Sequence, residues 1–206
     1  MIRYLGKLPR KCVVAFSGGV DSVAVADFLV RGKRDVHLAF FHHGTSTSDE
    51  AEEFVKKYVR DTKLTLSIGR VVREKSQHES PEEFWRNERY RFLDMYDYPV
   101  VTAHHLDDAV ETWLFNSIHG NPRVLPYKRK NVIRPFLITE KSTLVEWCTR
   151  RNLGWVEDAS NSDLRYSRNV IRHKIVPEAL KVNPGIRTVV RKMYSTVSRV
   201  PVDSSE

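Results

Sequence analysis

The stretch AFSGGVDSVAVADFL, residues 15–29, joins an apolar run to a helical one through two glycines. The run that leads into it, KCVVAF (11–16), is short and β-branched, which predicts a strand; after it Val23, Val25, Ala26, Leu29 and Val30 recur at helical spacing, with Gly32 as the stop. A small turn at a strand-to-helix junction leaves backbone N–H groups free to close on an anion, and the helix dipole adds positive potential. Ser17 and Ser22 can donate hydroxyl hydrogens to phosphate oxygens. Asp21 is unsuited to direct phosphate contact but suited to holding Mg²⁺ against one. Ser17, Gly18, Gly19, Val20, Asp21 and Ser22 are therefore a candidate phosphate cradle. Neither GxxxxGK[ST] nor GxGxxG occurs here, so the turn is not a Walker loop or a dinucleotide fingerprint.

The same strand-then-helix rhythm repeats outward from this junction. VHLAFF (36–41), TLSIGRVV (65–72) and PVVTA (99–103) read as strands. The helices between them are predicted over 48–61, with Ser48 as cap, over 80–96, opening on Ser-Pro, and from His104 onward. Four such repeats predict right-handed βαβ units and a doubly wound parallel sheet. A short strand at Val132–Arg134 makes it five-stranded. Beyond Gly120 the texture becomes proline-broken and basic. Helices are expected at Thr139–Asn152, at 166–180 with an interruption at Pro177, and at Ile186–Ser198, giving a small C-terminal helical extension. The domain reading is a catalytic core at 1–138, a basic extension at 139–199 and a tail at 200–206.

Composition narrows the partners. The 206 residues carry a net charge of +8 and 41% hydrophobic residues, enough for one α/β domain. Residues 1–122 hold 17 Lys+Arg against 18 Asp+Glu, whereas residues 123–199 hold 17 against 6. A near-neutral part followed by a basic one suggests a catalytic core with a polyanion-facing flank. Lys128, Arg129 and Lys130 cluster in a proline-flanked loop, and Arg165, Arg168, Arg172 and Lys174 crowd one connector and helix. Cys12 and Cys148 form no CxxC and no secreted disulfide pattern, so a reducing cytoplasm is the expectation. No signal peptide or membrane span is expected.

A second cluster, AHHLDDAVET (103–112), carries acid–base chemistry. With a helix starting near His104, that residue, Asp108 and Glu111 share one face at its N-terminal end, aimed at the same sheet edge as the cradle. A histidine and two carboxylates suit binding a cation, orienting an amine or moving a proton. A di-metal phosphoesterase, or a helix start with solvated acids, would use similar residues.

SGGVDS resembles the pyrophosphate loop of PP-loop ATP pyrophosphatases, and AHHLDDAVET resembles the AHHxDDQxET signature of the tRNA(Ile)-lysidine synthetases, with Ala109 where Gln is usual. Three more stretches agree in order. EEFWRNERYRFL (82–93) matches an ARxxRY helix at Arg86, Arg89 and Tyr90; IRPFL (133–137) matches RPLL; and 157–177 matches D-x-SN-x-D…RNxIR…P. The resemblance implies ATP-dependent adenylation of the wobble cytidine of an isoleucine tRNA, followed by displacement of AMP by the ε-amine of free lysine. It assigns function to Asp21, Asp108, Glu111, Arg86, Arg172 and His104, with ATP and Mg²⁺ as cofactors. Asp108 and Glu111 are expected to receive the lysine ammonium. His43-Gly44-Thr45-Ser46 lacks the arginine usual in that family, and the usual C-terminal tRNA-binding region is not in this sequence. Contacts to tRNA are then expected from Lys128, Arg129, Lys130, Arg165, Arg168 and Lys174, or through a homodimer. A thiolating PP-loop branch would need CxxC pairs, and amidotransferase synthetases would need a glutaminase domain. Another tRNA-base modification, or an inactive tRNA-binding module, is the alternative.

Overall fold

A computed structural model describes residues 1–157 and 163–195. The expected connector residues Asp158, Ser160 and Asn161, the end of the last helix and the tail at 200–206 lie outside the described residues. Six strands form one sheet in the order β3-β2-β1-β4-β6-β5. They are β1 (Lys11–Ala15), β2 (Asp35–His42), β3 (Thr65–Arg70), β4 (Val100–Val101), β5 (Lys128–Arg129) and β6 (Val132–Ile133). Five are parallel, as expected, and the sixth, β5, pairs antiparallel with β6 at the edge. β5 falls in the stretch expected as loop, because two residues in a basic, proline-flanked run carry no periodicity.

Alternation along the strands sorts the core into two faces. Cys12, Val14, Val36, Leu38 and Phe40 turn to one side, where they meet α1 (Val20–Arg31), α2 (Ser46–Thr62) and α5 (Lys141–Arg150). Val13, Ala39, Val100 and Val132 turn to the other, against Tyr90 and Leu93 of α3 (Pro81–Leu93). β3 and α3 approach so closely at Gly69 that a Cβ there would lie 2.6 Å from the Phe92 ring. A third cluster packs α4 (Leu106–Ile118) against α7 (Val176–Val182) and α8 (Ile186–Met193) through Leu106, Ala109, Val110, Ile186, Val190 and Tyr194. The strand order reverses between β1 and β4, which opens a crevice at their carboxyl ends, where α/β sheets bind ligands.

Several predicted boundaries move. Thr45, not Ser48, caps α2, accepting a hydrogen bond from Ser48 N, because the helix begins at Ser46. Ser80 caps α3 as expected, with Pro81 in the first turn. Pro177 does not interrupt a helix; it sits in the first turn of α7, and the break comes earlier. α6 (Ser167–Val170) widens into a π-helical turn over Ile171–Ile175, which accommodates the N–H that Pro177 lacks. Among the described residues no helix is long and apolar enough to cross a membrane.

Candidate active site

The crevice holds about 260 Å³ and is lined by Ser17, Gly19, Asp21 and Ser22 from one side and Thr102, His104 and Asp108 from the other. Phe41, His43, Arg89 and Tyr90 close it. Gly18 has φ +82°, and a Cβ there would meet the Phe54 ring at 3.1 Å, so both conformation and space require glycine. Gly19 caps α1 without a side-chain hydrogen bond, which leaves the first-turn amides for a ligand. Ser22 donates to Gly19 O at 2.9 Å, and Ser17 Oγ lies 3.3 Å from Ser22 Oγ. Val156 N donates to Gly18 O at 3.0 Å, tying the distant connector to the turn. These contacts hold a cradle-shaped backbone in place.

Asp21 sits in the first turn of α1. Its Oδ2 is 3.5 Å from His105 Nε2, while its Oδ1 is buried and without a hydrogen-bond partner. A buried carboxylate oxygen with no donor is costly unless a cation completes it. The donor chemistry therefore fits a hard cation such as Mg²⁺.

α4 starts two residues later than expected. His105 is its N-cap and His104 lies before it, outside the helix, so His104 does not share a helical face with Asp108 and Glu111. The structure still brings His104 and Asp108 together in the crevice. Thr102 Oγ1 is 2.8 Å from His104 Nδ1. Burial pushes the His104 pKa down to about 3; Asp108 opposes this, and Arg134 and Arg89 add to it. The imidazole is neutral near pH 7, fit to exchange hydrogen bonds rather than carry charge. Asp108 accepts a hydrogen bond from His105 N at 2.9 Å, and despite burial His105 holds its carboxyl below the usual range.

Sequence reasoning passed over His105. Its ring is buried between the two halves of the site, 3.5 Å from Asp21 and 3.4 Å from Asp108 Oδ2. Nδ1 is also 3.3 Å from Asp108 N, so a neutral ring caps α4 and a charged ring pairs with the carboxylate. Burial resists the charge, but Asp108, Asp21 and Asp107 outweigh it and raise the His105 pKa. The spacing His105-x-x-Asp108 is that of a capping box, which is the signal that would have found it.

Glu111 is only 3% exposed, and both its oxygens are taken: Arg168 Nη1 at 3.2 Å and Arg172 Nε at 2.9 Å. Glu111 is expected to receive an ammonium; in this structure its two oxygens are engaged by Arg168 and Arg172. Arg172 also reaches to 3.8 Å from Asp108 Oδ1. Arg86 is exposed and outside the crevice lining, which Arg89, one turn on, enters. The basic residues expected to meet tRNA have varied partners. Lys130 pairs with Asp94 at 2.6 Å and Arg165 with Asp163 at 2.7 Å. Arg168 is engaged with Glu111, Lys174 lies beside α7, Lys128 is exposed on β5, and Arg129 lies over the Tyr90 ring. Cys12 and Cys148 are buried away from the crevice, and burial pushes both thiols up to about 11.

A phosphate loop at the switch point of a doubly wound sheet, facing a His/Asp helix start, defines a nucleotide-phosphate-binding α/β domain. The chain belongs to the PP-loop domain family, whose model matches residues 3–179. It is similar to proteins named tRNA(Ile)-lysidine synthase: 34% identical over 202 residues in Vibrio parahaemolyticus, covering 90% of this chain and 46% of the relative, and 30% over 192 residues in Exiguobacterium sibiricum, covering 86% and 46%. The chain spans about half the length of these curated relatives. Two solved structures share the fold. The U34-tRNA thiolase NcsA from Methanococcus maripaludis, with its [4Fe-4S] cluster, has a TM-score of 0.69 at 16% identity and covers 92% of this chain and 72% of that one. The NH3-dependent NAD synthetase from Campylobacter jejuni has a TM-score of 0.51 at 15% identity, covering 93% and 85%.

Proposed function

We propose that this chain is the catalytic part of an ATP-dependent tRNA-modifying ligase that adenylates a cytidine and joins lysine to it. The observation that carries the reading is Asp21. An orphaned carboxylate oxygen sits beside open helix amides, with His104 and Asp108 lining the same crevice. The first-turn amides of α1 and the hydroxyls of Ser17 and Ser22 orient the phosphates, and Asp21 Oδ1 would hold Mg²⁺. When bound, Mg²⁺ neutralises charge building on the phosphate oxygens.

In the first half-reaction the cytidine carbon-2 oxygen bonds to the α-phosphorus as the α–β bridge breaks and pyrophosphate leaves. In the second, the lysine ε-amine bonds to carbon 2, the carbon–oxygen bond breaks, and AMP leaves with that oxygen. The amine must shed a proton, and Asp108 is placed to take it; neutral His104 hydrogen-bonds beside it. Arg168 and Arg172, aligned by Glu111, supply positive charge at the edge where phosphate charge develops. The buried, high-pKa cysteines disfavour the thiolation chemistry of a structural neighbour.

The test is AMP and pyrophosphate release from ATP, with tRNA and lysine each omitted in turn. The reading expects release to require tRNA. Release at the same rate without tRNA, or none with every component present, contradicts it.

A further inference from the structure

Several half-buried arginines elsewhere among the described residues meet a carboxylate, Arg34 being an exception: Arg73 meets Glu79 and Glu88, Arg151 meets Asp27, Arg187 meets Asp107 and Arg191 meets Glu140. Around Tyr90 the pattern fails. Arg129 lies over its ring at 4.1 Å, Arg86 at 5.2 Å and Arg89 at 5.8 Å, measured to the centroid. Arg134, only 1% exposed, donates to Tyr90 Oη at 2.7 Å and to Pro126 O at 2.8 Å, and its Nε is buried without a partner. Among the described residues no carboxylate pairs with any of these four guanidinium groups.

Gathered cations without counter-charge are destabilising unless an anion completes them. Burial, together with Arg86 and Arg134, holds the Arg89 guanidinium below its ordinary pKa despite Tyr90. Tyr90 replaces the missing acid only in part, by offering a ring face and one oxygen. A guanidinium stacked on a ring still has its in-plane N–H donors to present, in the fork that suits a phosphate.

We propose that Arg86, Arg89, Arg129 and Arg134, gathered on Tyr90, form an anion-binding basin that seats a phosphodiester of an RNA strand at the mouth of the crevice. The proposal rests on the reading of the crevice as the site of ATP-dependent tRNA modification. ATP's own phosphates have the amides of α1. Of the four arginines only Arg89 lines the crevice, whereas Arg86 and Arg129 are exposed beyond it, where a polymer reaches and a bound nucleotide does not. The hairpin β5–β6 and helix α3 thus bring together charges that the sequence holds forty or more residues apart. Seating the phosphate beside the target nucleotide would fix the base over the His104–Asp108 side of the crevice.

The experiment is equilibrium binding of unfractionated tRNA over a KCl series, with ATP binding and AMP release measured on the same proteins. The variants are Arg129→Gln and Arg129→Lys, with Lys57→Gln on the outer face of α2 as the control. Arg129 is exposed, so both substitutions are compatible with folding, checked by circular dichroism and melting. Loss of one phosphate contact should flatten the log–log salt slope by about one unit and weaken tRNA binding, leaving ATP binding at the parental value. Arg129→Lys should keep most of the slope, because it keeps the charge. An Arg129→Gln protein with parental tRNA affinity and slope overturns the basin; so does one that loses ATP affinity instead. Parental protein that binds tRNA with an Arg129-dependent slope, yet never releases AMP, supports the basin and refutes the ligase reading. Parental protein with no affinity for tRNA overturns both.

Discussion

Asp21 and His104 are the two residues whose environments say most about chemistry. Asp21→Asn removes the anionic oxygen that the account gives to Mg²⁺ while keeping its shape. AMP release should fall at least 100-fold, by the scale of losing one charge-stabilising group, with melting temperature little changed. Near-parental AMP release would remove Asp21 from the account. His104 yields a pH prediction with a definite sign. Its folded pKa is about 3 against 6.5 for the free side chain, so the unfolded chain binds a proton first as pH falls. Stability should decline from pH 6.5 downward and the His104 share should level off below about 3. Between pH 6.5 and 4.5 the carboxylates contribute little, and there His104→Gln should show a shallower decline than the parent in urea titrations. His105 shifts the other way, and its contribution is fully present below 6.5, so it does not mask the effect. Equal slopes for parent and variant would show that His104 is not held neutral.

At the scale of elements, the site depends on two junctions. The strand-to-helix turn after β1 needs Gly18 in a left-handed conformation against Phe54. Gly18→Ala should cost about 1–3 kcal/mol in unfolding free energy and reduce AMP release by more than that loss explains, since the cradle itself shifts. Asp107 makes the other junction. Its Oδ2 accepts from Lys141 N at 2.8 Å, and its Oδ1 accepts from Arg187 Nη2 at 2.7 Å, so the start of α4 is pinned to both α5 and α8. Asp107→Asn should cost about 1–2 kcal/mol and raise amide exchange in 186–193 more than in β1. Uniform exchange would show that α8 is not held by this residue. The first junction was legible in SGGVDS, because a glycine turn between a β-branched run and a 3.6-residue pattern has one physical use. The second was not: Asp107 reads as one more acid in HHLDD, and only the packing of α8 reveals its partner. Likewise the π-helical turn that carries Arg172 beside Glu111 leaves no periodic mark, and the burial of Arg134, a lone arginine in an apolar run before Pro135, is not legible in its sequence.

At the scale of the whole molecule, the near-neutral first part supplies the cradle and the His/Asp face, and the basic second part packs beside them, with Val156 N bonded to Gly18 O. The alternation of strand and helix was readable over the first four repeats, where hydrophobic period and turn residues agree. It faded after Gly120, where two-residue strands depend on neighbours rather than on their own sequence. Charge was legible as a total but its local partners were not: Lys130 and Arg165 meet acids and Arg168 meets Glu111, while the four arginines around Tyr90, drawn from both parts of the chain, stand out only in three dimensions. The central claim is that one crevice adenylates a tRNA cytidine and hands it to lysine. It is tested most directly by incubating the protein with isoleucine tRNA, ATP, Mg²⁺ and isotopically labelled lysine, then measuring the digested nucleosides by mass spectrometry. The account predicts a nucleoside with the mass of cytidine plus lysine less water, carrying the label and absent from the Asp108→Asn reaction. Cytidine recovered unchanged while ATP is cleaved to AMP would contradict it.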